Sequence, residues 1–340
     1  DPGNWNLAAL PTSADSIVFN TVQANPYCMG LLSSWTLSSV GFKESCEIDL
    51  GANKILTSSG SVVFDGGSKT FTLKSGKVEA AGNRIFLGDG TSGNTLIVEG
   101  ANTILKSPEA TVGGNNFFSL SPNYGNNHVI IRDGATYDGN VMMAVNSTGA
   151  KNNSFTVTGP GTKWTTRGVR NTRLYVADNQ SIVISNRATA VLSGVPIGQG
   201  INHEGSIWLG TVNNSAVGQN HRLVVADGAS LWTDQSITAG RNGSNCEIRL
   251  ADGGYIGSGY TVMLGFNKVS AQTSGNRLTV SGVGNGLYAR GGVIIGYGPG
   301  SHANGFVVQP GAELAYGGSL IAGEDEADDS NYMTIAGTMS

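Results

Sequence analysis

The stretch Asn276-Arg-Leu-Thr-Val280 states the rule that decides the fold: a polar anchor, then apolar residues at every second position. The same phrase occurs as Asn94-Thr-Leu-Ile-Val98, Asn127-His-Val-Ile-Ile131 and Asn153-Ser-Phe-Thr-Val157. It returns as Gln180-Ser-Ile-Val-Ile184, His221-Arg-Leu-Val-Val225 and Cys246-Glu-Ile-Arg-Leu250. Asn304-Gly-Phe-Val-Val308 and Asn331-Tyr-Met-Thr-Ile335 complete the series. The anchors are spaced by 33, 26, 27, 41, 25, 30, 28 and 27 residues. A fixed period in the range of about 20–50 residues marks a solenoid, a propeller or an array. Alternation with period two makes each phrase a strand with one buried face.

A turn follows most copies, as in Asp133-Gly134-Ala135, Asp227-Gly228-Ala229 and Asp252-Gly253-Gly254. Asp-Gly suits a tight turn with positive φ. A second strand follows and often carries an aromatic: Tyr137, Trp164, Trp232, Tyr255 or Tyr288. A third ends in glycine, as in Ile207-Trp-Leu-Gly210 and Val262-Met-Leu-Gly265. Three short strands and their turns fill 25 to 30 residues, whereas a four-stranded propeller blade needs roughly 40 or more. The expected fold is therefore all-β, a right-handed parallel β-helix with about three strands per coil. Residues 1–45 are expected to form an N-terminal cap and an irregular first coil. The β-helix repeats are assigned to residues 46–340. The anchors are expected to form an internal asparagine ladder, using the residue's tolerance of the left-handed region.

Composition agrees. Of 340 residues, 51 are glycine and 31 asparagine, and only 13% are charged, which suits short strands between many tight turns. The net charge of −4 lacks the basic footprint of a nucleic-acid binder. No run of 18 apolar residues suggests a membrane span. The chain opens on Asp1, as a processed secreted protein or a trimmed one does. Cys28 and Cys46 share one non-repetitive segment and are expected to pair, leaving Cys246 as a buried small residue.

The phrases Asn276-Arg-Leu-Thr-Val-Ser-Gly-Val-Gly284 and His221-Arg-Leu-Val-Val-Ala-Asp-Gly-Ala229 resemble repeats of bacterial autotransporter passengers. They are also similar to β-helical surface proteins with a C-terminal sorting tail. The opening from Trp5 to Phe19 resembles the start of many such proteins. The resemblance spans roughly residues 50–340 and implies an extracellular or cell-surface location. It does not imply one activity, because these repeats serve adhesins, structural proteins and enzymes. Neither an outer-membrane barrel nor an apolar sorting tail occurs within the 340 residues.

Chemistry is sparse. None of His128, His203, His221 and His302 falls in a metal-binding spacing. His128 and His221 are expected to be turn or surface residues. His203 and Glu204, in the 41-residue interval, are an acid and a base for the enzyme alternative, a polysaccharide lyase or hydrolase. Neighbours in a strand point to opposite faces, which weakens that pairing. The run Glu324–Asp329 is expected to be a solvated acidic loop rather than a calcium site. No catalytic, cofactor-binding or metal-ligating set is expected. The leading expectation is a structural or adhesive protein of a bacterial cell exterior. A carbohydrate-binding module is the further alternative, with Trp164 and Trp232 as aromatics for sugar stacking. The last repeat, Asn331–Ile335, looks like an ordinary coil strand with nothing to cover it. Self-association, head-to-tail or lateral, into a filament or coat is therefore expected.

Overall fold

The computed structural model describes residues 11–19, 33–108, 117–120, 123–143, 148–166, 172–174, 177–193, 207–210, 218–266, 273–298, 300–323 and 330–340, with the backbone of Tyr27–Met29. Every element among them is a strand, and every strand pairing is parallel. The strands stack as a β-solenoid of about ten turns.

Each full coil has three faces. Face one holds the anchor phrases, from Cys46–Asp49 through Thr95–Glu99 and Ser154–Thr158 to Tyr332–Ile335. Face two holds the strands after the turn, among them Thr103–Lys106, Lys163–Thr166, Ser230–Thr233, Tyr255–Ser258 and Asn285–Ala289. Face three is a 12-stranded sheet running from Ser16–Phe19 to Leu320–Ala322. The strand Thr70–Ala80 is long enough to turn the corner and serve both faces one and two. Parallel pairing begins at Ser16–Phe19, which joins Ser39–Phe42, so these strands already contribute to the stack.

The period-two pattern does what it must. Leu96, Val129, Phe155, Ile182, Leu223, Ile248, Leu278 and Phe306 form one in-register column, all fully buried. Equivalent columns from the other faces join it in a single hydrophobic core reaching from Ile17 to Leu314. Burial on this scale, at about 25 cal/mol per Å², is what offsets the ordering of so many short strands. Aromatic rings run along the axis within it, with Phe19, Phe42 and Phe64 stacked at 5.1 Å intervals.

The anchors form the expected ladder. The Oδ1 of Asn127 accepts the backbone N–H of Asn94 at 2.7 Å, and that of Asn153 accepts the N–H of Asn127 at 2.9 Å. The same bond joins Cys246 to Asn276, Asn276 to Asn304 and Asn304 to Asn331. Three anchors in the middle are different residues. His221 Nδ1 accepts the Gln180 N–H at 3.3 Å. The Cys246 sulfur accepts the N–H of His221, standing in for the amide oxygen.

One detail differs from expectation. The left-handed residue is not the anchor but its predecessor: Asn126, Asn152, Asn179, Asn220, Asn245, Gly275, Ala303 and Ser330 all have positive φ. The anchor's side chain is engaged in the ladder while the turn bends one residue earlier. The glycine that closes face three has a second reason to be glycine. A Cβ on Gly240 would lie 2.1 Å from Asn276 Cγ, and one on Gly265 would lie 2.2 Å from Asn304 Nδ2. Ladder and glycine column occupy one corner, and each requires the other.

Candidate functional site

Face two is where outward side chains change character. One outward column reads Thr57, Glu79, Lys106, Asp138, Thr165, Val191, Trp232, Gly257, Tyr288, Gly317. The neighbouring outward column ends Lys163, Thr189, Ser230, Tyr255, Gly286, Ala315. The first coils carry charge, with Glu79 bridging Lys77 and Lys106 at 2.5 and 3.1 Å. The later coils carry aromatic rings over glycines.

Each ring leans over the glycine of the following coil. A Cβ on Gly257 would meet Trp232 Cε3 at 2.2 Å, and one on Gly286 would meet Tyr255 Cδ2 at 2.7 Å. Tyr288 approaches Gly317 in the same way, at 3.0 Å. Trp232 and Tyr288 have ring centres 6.2 Å apart and planes within 12° of each other. The Trp232 Nε1–H donates to Asp234 Oδ1 at 3.1 Å. Tyr255 and Tyr288 remain 39% and 40% exposed, so the strip faces solvent.

Trp164 does not belong to this strip, and its expected role in sugar stacking is corrected. It is wholly buried, with its Nε1–H donating to Gly139 O at 2.9 Å. Its in-register partners are Tyr137, Ala190 and, through Ala190, Leu231, all core-facing. Trp232 sits one residue further along, and one residue in a strand is the opposite face.

The outward column of face three is exposed at its ends, at Val18 and Ile321, and buried through its middle. Trp208 is flanked there by the guanidinium groups of Arg173 and Arg241, 4.1 and 3.6 Å from its ring centre. Met142, Trp208, Thr238 and Met263 are all buried.

The histidines divide. His128 hydrogen-bonds Ser154 Oγ at 2.8 Å, and partial burial lowers its pKa. His221 is a turn residue, but not at the surface: its ring is fully buried in the ladder. Cys246 is a buried thiol whose pKa burial pushes up to about 12. Cys46 is buried on the core face, while the Cys28 side chain lies outside the described residues, as do His203, Glu204 and Glu324–Asp329.

Carboxylates gather beside a base at two places. Asp65 accepts from Gly90 N at 3.0 Å and from the Thr91 hydroxyl, and bridges Lys43 at 3.3 Å. Burial, and secondarily the charge of Asp65, pushes the nearby Asp89 carboxyl up. Glu99 and Asp133 flank Arg132 at 2.5 and 3.4 Å. Asp65 is committed to closing a turn and Glu99 to its ion pair. No group of three or more His, Cys, Asp or Glu suited to a metal ion occurs among the described residues. A shallow cavity of about 250 Å³ lies between Asn285, Glu313, Leu314 and Thr338, at the last coil. No helix of the described residues is long and apolar enough to cross a membrane.

Against protein-family models, curated proteins and solved structures, the chain gives no match.

The glycines under the rings were the part of the strip that the sequence reading missed. Their signal is present once repeats are aligned strand by strand: aromatic and glycine alternate at one position through Trp232, Gly257, Tyr288 and Gly317.

Proposed function

We propose that the chain is a structural and adhesive β-solenoid of a bacterial cell exterior, comparable in role to the autotransporter passengers its repeats resemble. The observation that supports this is the unbroken stack itself. One core runs its length, the ladder pins its corner, and long outer faces are left for contact. A solenoid of this kind is a rigid spacer whose faces vary while its core repeats. Protease treatment of intact producing cells, followed by immunoblotting, tests the location. Digestion of the chain on unbroken cells is expected. Recovery only from the cytoplasmic fraction would overturn the proposal.

Self-association belongs to the same reading. The long outer faces of the stack suit lateral contact between copies. Sedimentation across a concentration series tests this, with growth in mass expected and a constant monomer mass against it.

A further inference from the structure

We propose that the aromatic strip of face two is a platform for a neutral, linear, β-linked polysaccharide, with Trp232 and Tyr288 stacking on its sugar rings. This rests on the reading of the protein as an exterior adhesive scaffold and names what it adheres to.

Three observations carry it. The first is exposure without cover. Large aromatic rings dominate interface energetics, and a grouped set left in solvent marks a contact surface. Val191, Tyr255 and Tyr288, with the half-buried Trp232 among them, form such a group across successive coils, while Trp164 and Tyr137 on earlier strands of the same face point inward and are wholly buried. The second is shape. Gly257, Gly286 and Gly317 keep the floor between and beyond the rings free of side chains, and the Trp232 and Tyr288 planes agree within 12°. Asp234 holds the indole by its Nε1–H. The strip is thus a fixed, low ridge running along the axis.

The third observation is charge. The same two columns carry Lys77, Glu79, Lys106, Asp138 and Lys163 in the earlier coils, and no ionisable group other than tyrosine from Val191 and Ser230 onward. An anionic polymer or a nucleic acid would need basic residues in that strip. A sugar ring with equatorial hydroxyls needs none. Its two faces are C–H surfaces that rest on aromatic rings through many weak contacts. Its hydroxyl rim finds partners at Ser230, Thr189 and the tyrosine hydroxyls. The ring centres of Trp232 and Tyr288, 6.2 Å apart, fall within the span of two sugar units of an extended chain, so a polymer lying along the axis covers both.

The test is calorimetric titration of the full chain with cellohexaose and xylohexaose, and with polygalacturonate as the anionic arm. Binding of at least one neutral hexasaccharide is expected. Trp232→Ala and Tyr288→Ala should each weaken it tenfold or more, while Trp232→Phe retains most of it and Lys163→Ala all of it. Matching thermal melts establish that the variants fold. Absence of binding by both neutral probes overturns the proposal, as does affinity unchanged in both alanine variants or a preference for polygalacturonate. The cell-exterior reading stands or falls separately, on protease accessibility: a chain displayed outside that binds neither hexasaccharide refutes the platform alone.

Discussion

Asn276 makes the ladder's logic concrete. Its Oδ1 accepts the Cys246 N–H, and its Nδ2 donates to Gly243 O at 3.0 Å and to Asn304 Oδ1 at 2.9 Å, all in a buried corner. Asn276→Ala strands those partners, so the expected cost is about 1–3 kcal/mol in urea denaturation. Asn152→Gly, which removes the exposed bond from Asn152 Nδ2 to Asn126 Oδ1 but tolerates the positive φ of that position, should cost under about 0.5 kcal/mol. Equal effects would mean the buried ladder is not special. Cys246 gives a pH prediction. Its thiol is raised in the fold from 9.0 to about 12. A raised thiol favours the folded state below about pH 9 and withdraws that support as pH climbs toward 12. Stability should therefore fall over that window, less steeply in Cys246→Ala, and the native thiol should resist Ellman's reagent at pH 8. Identical alkaline slopes would contradict the burial. Anchor identity was legible in the sequence because a polar residue, most often asparagine, opens each alternating phrase. The left-handed residue before it was not, because Asn, Gly, Ala and Ser all occupy that position.

At the scale of the element, the strand ends of face three and the anchors of face one act as one corner. Gly240 has φ of 76°, and its missing Cβ is the space Asn276 uses. Gly240→Ala should destabilise by more than about 1 kcal/mol, through strain and displacement of the ladder. The double variant with Asn276→Ala should cost less than the sum of the two, because one loss already includes part of the other. Strict additivity in a double-mutant cycle would mean the corner is not shared. The strands themselves were readable from alternation alone, down to the core-facing residues of the anchor phrases from Asn94 to Asn304. The side on which an aromatic lies was harder. Trp164 and Trp232 occupy similar places in the repeat, but their registers differ by one residue, and that places one in the core and the other on the outer face. Only pairing coil to coil fixes that register.

The whole molecule is a stack, so its length should grow linearly with the number of coils between two points. The solenoid was legible in the repeat period, because a period-two strand that returns every 25 to 30 residues buries its apolar face by stacking on its own equivalents. The aromatic strip emerges only at this scale, since each of its rings comes from a different coil. The central claim is in-register stacking from end to end, and spin labels test it most directly. Thr72, Thr156 and Val307 share one outward column of face one, connected by strand-to-strand register through Ile97, Ile130, Val183, Val224, Arg249 and Thr279. Thr72 and Val307 stand eight strand steps apart, which at about 4.8 Å each is roughly 38 Å, and Thr156 and Val307 five steps apart, roughly 24 Å. Double electron–electron resonance on the two doubly labelled chains should return narrow distributions near those distances. Broad distributions, or two distances that do not stand in the ratio of their coil counts, would contradict the stack.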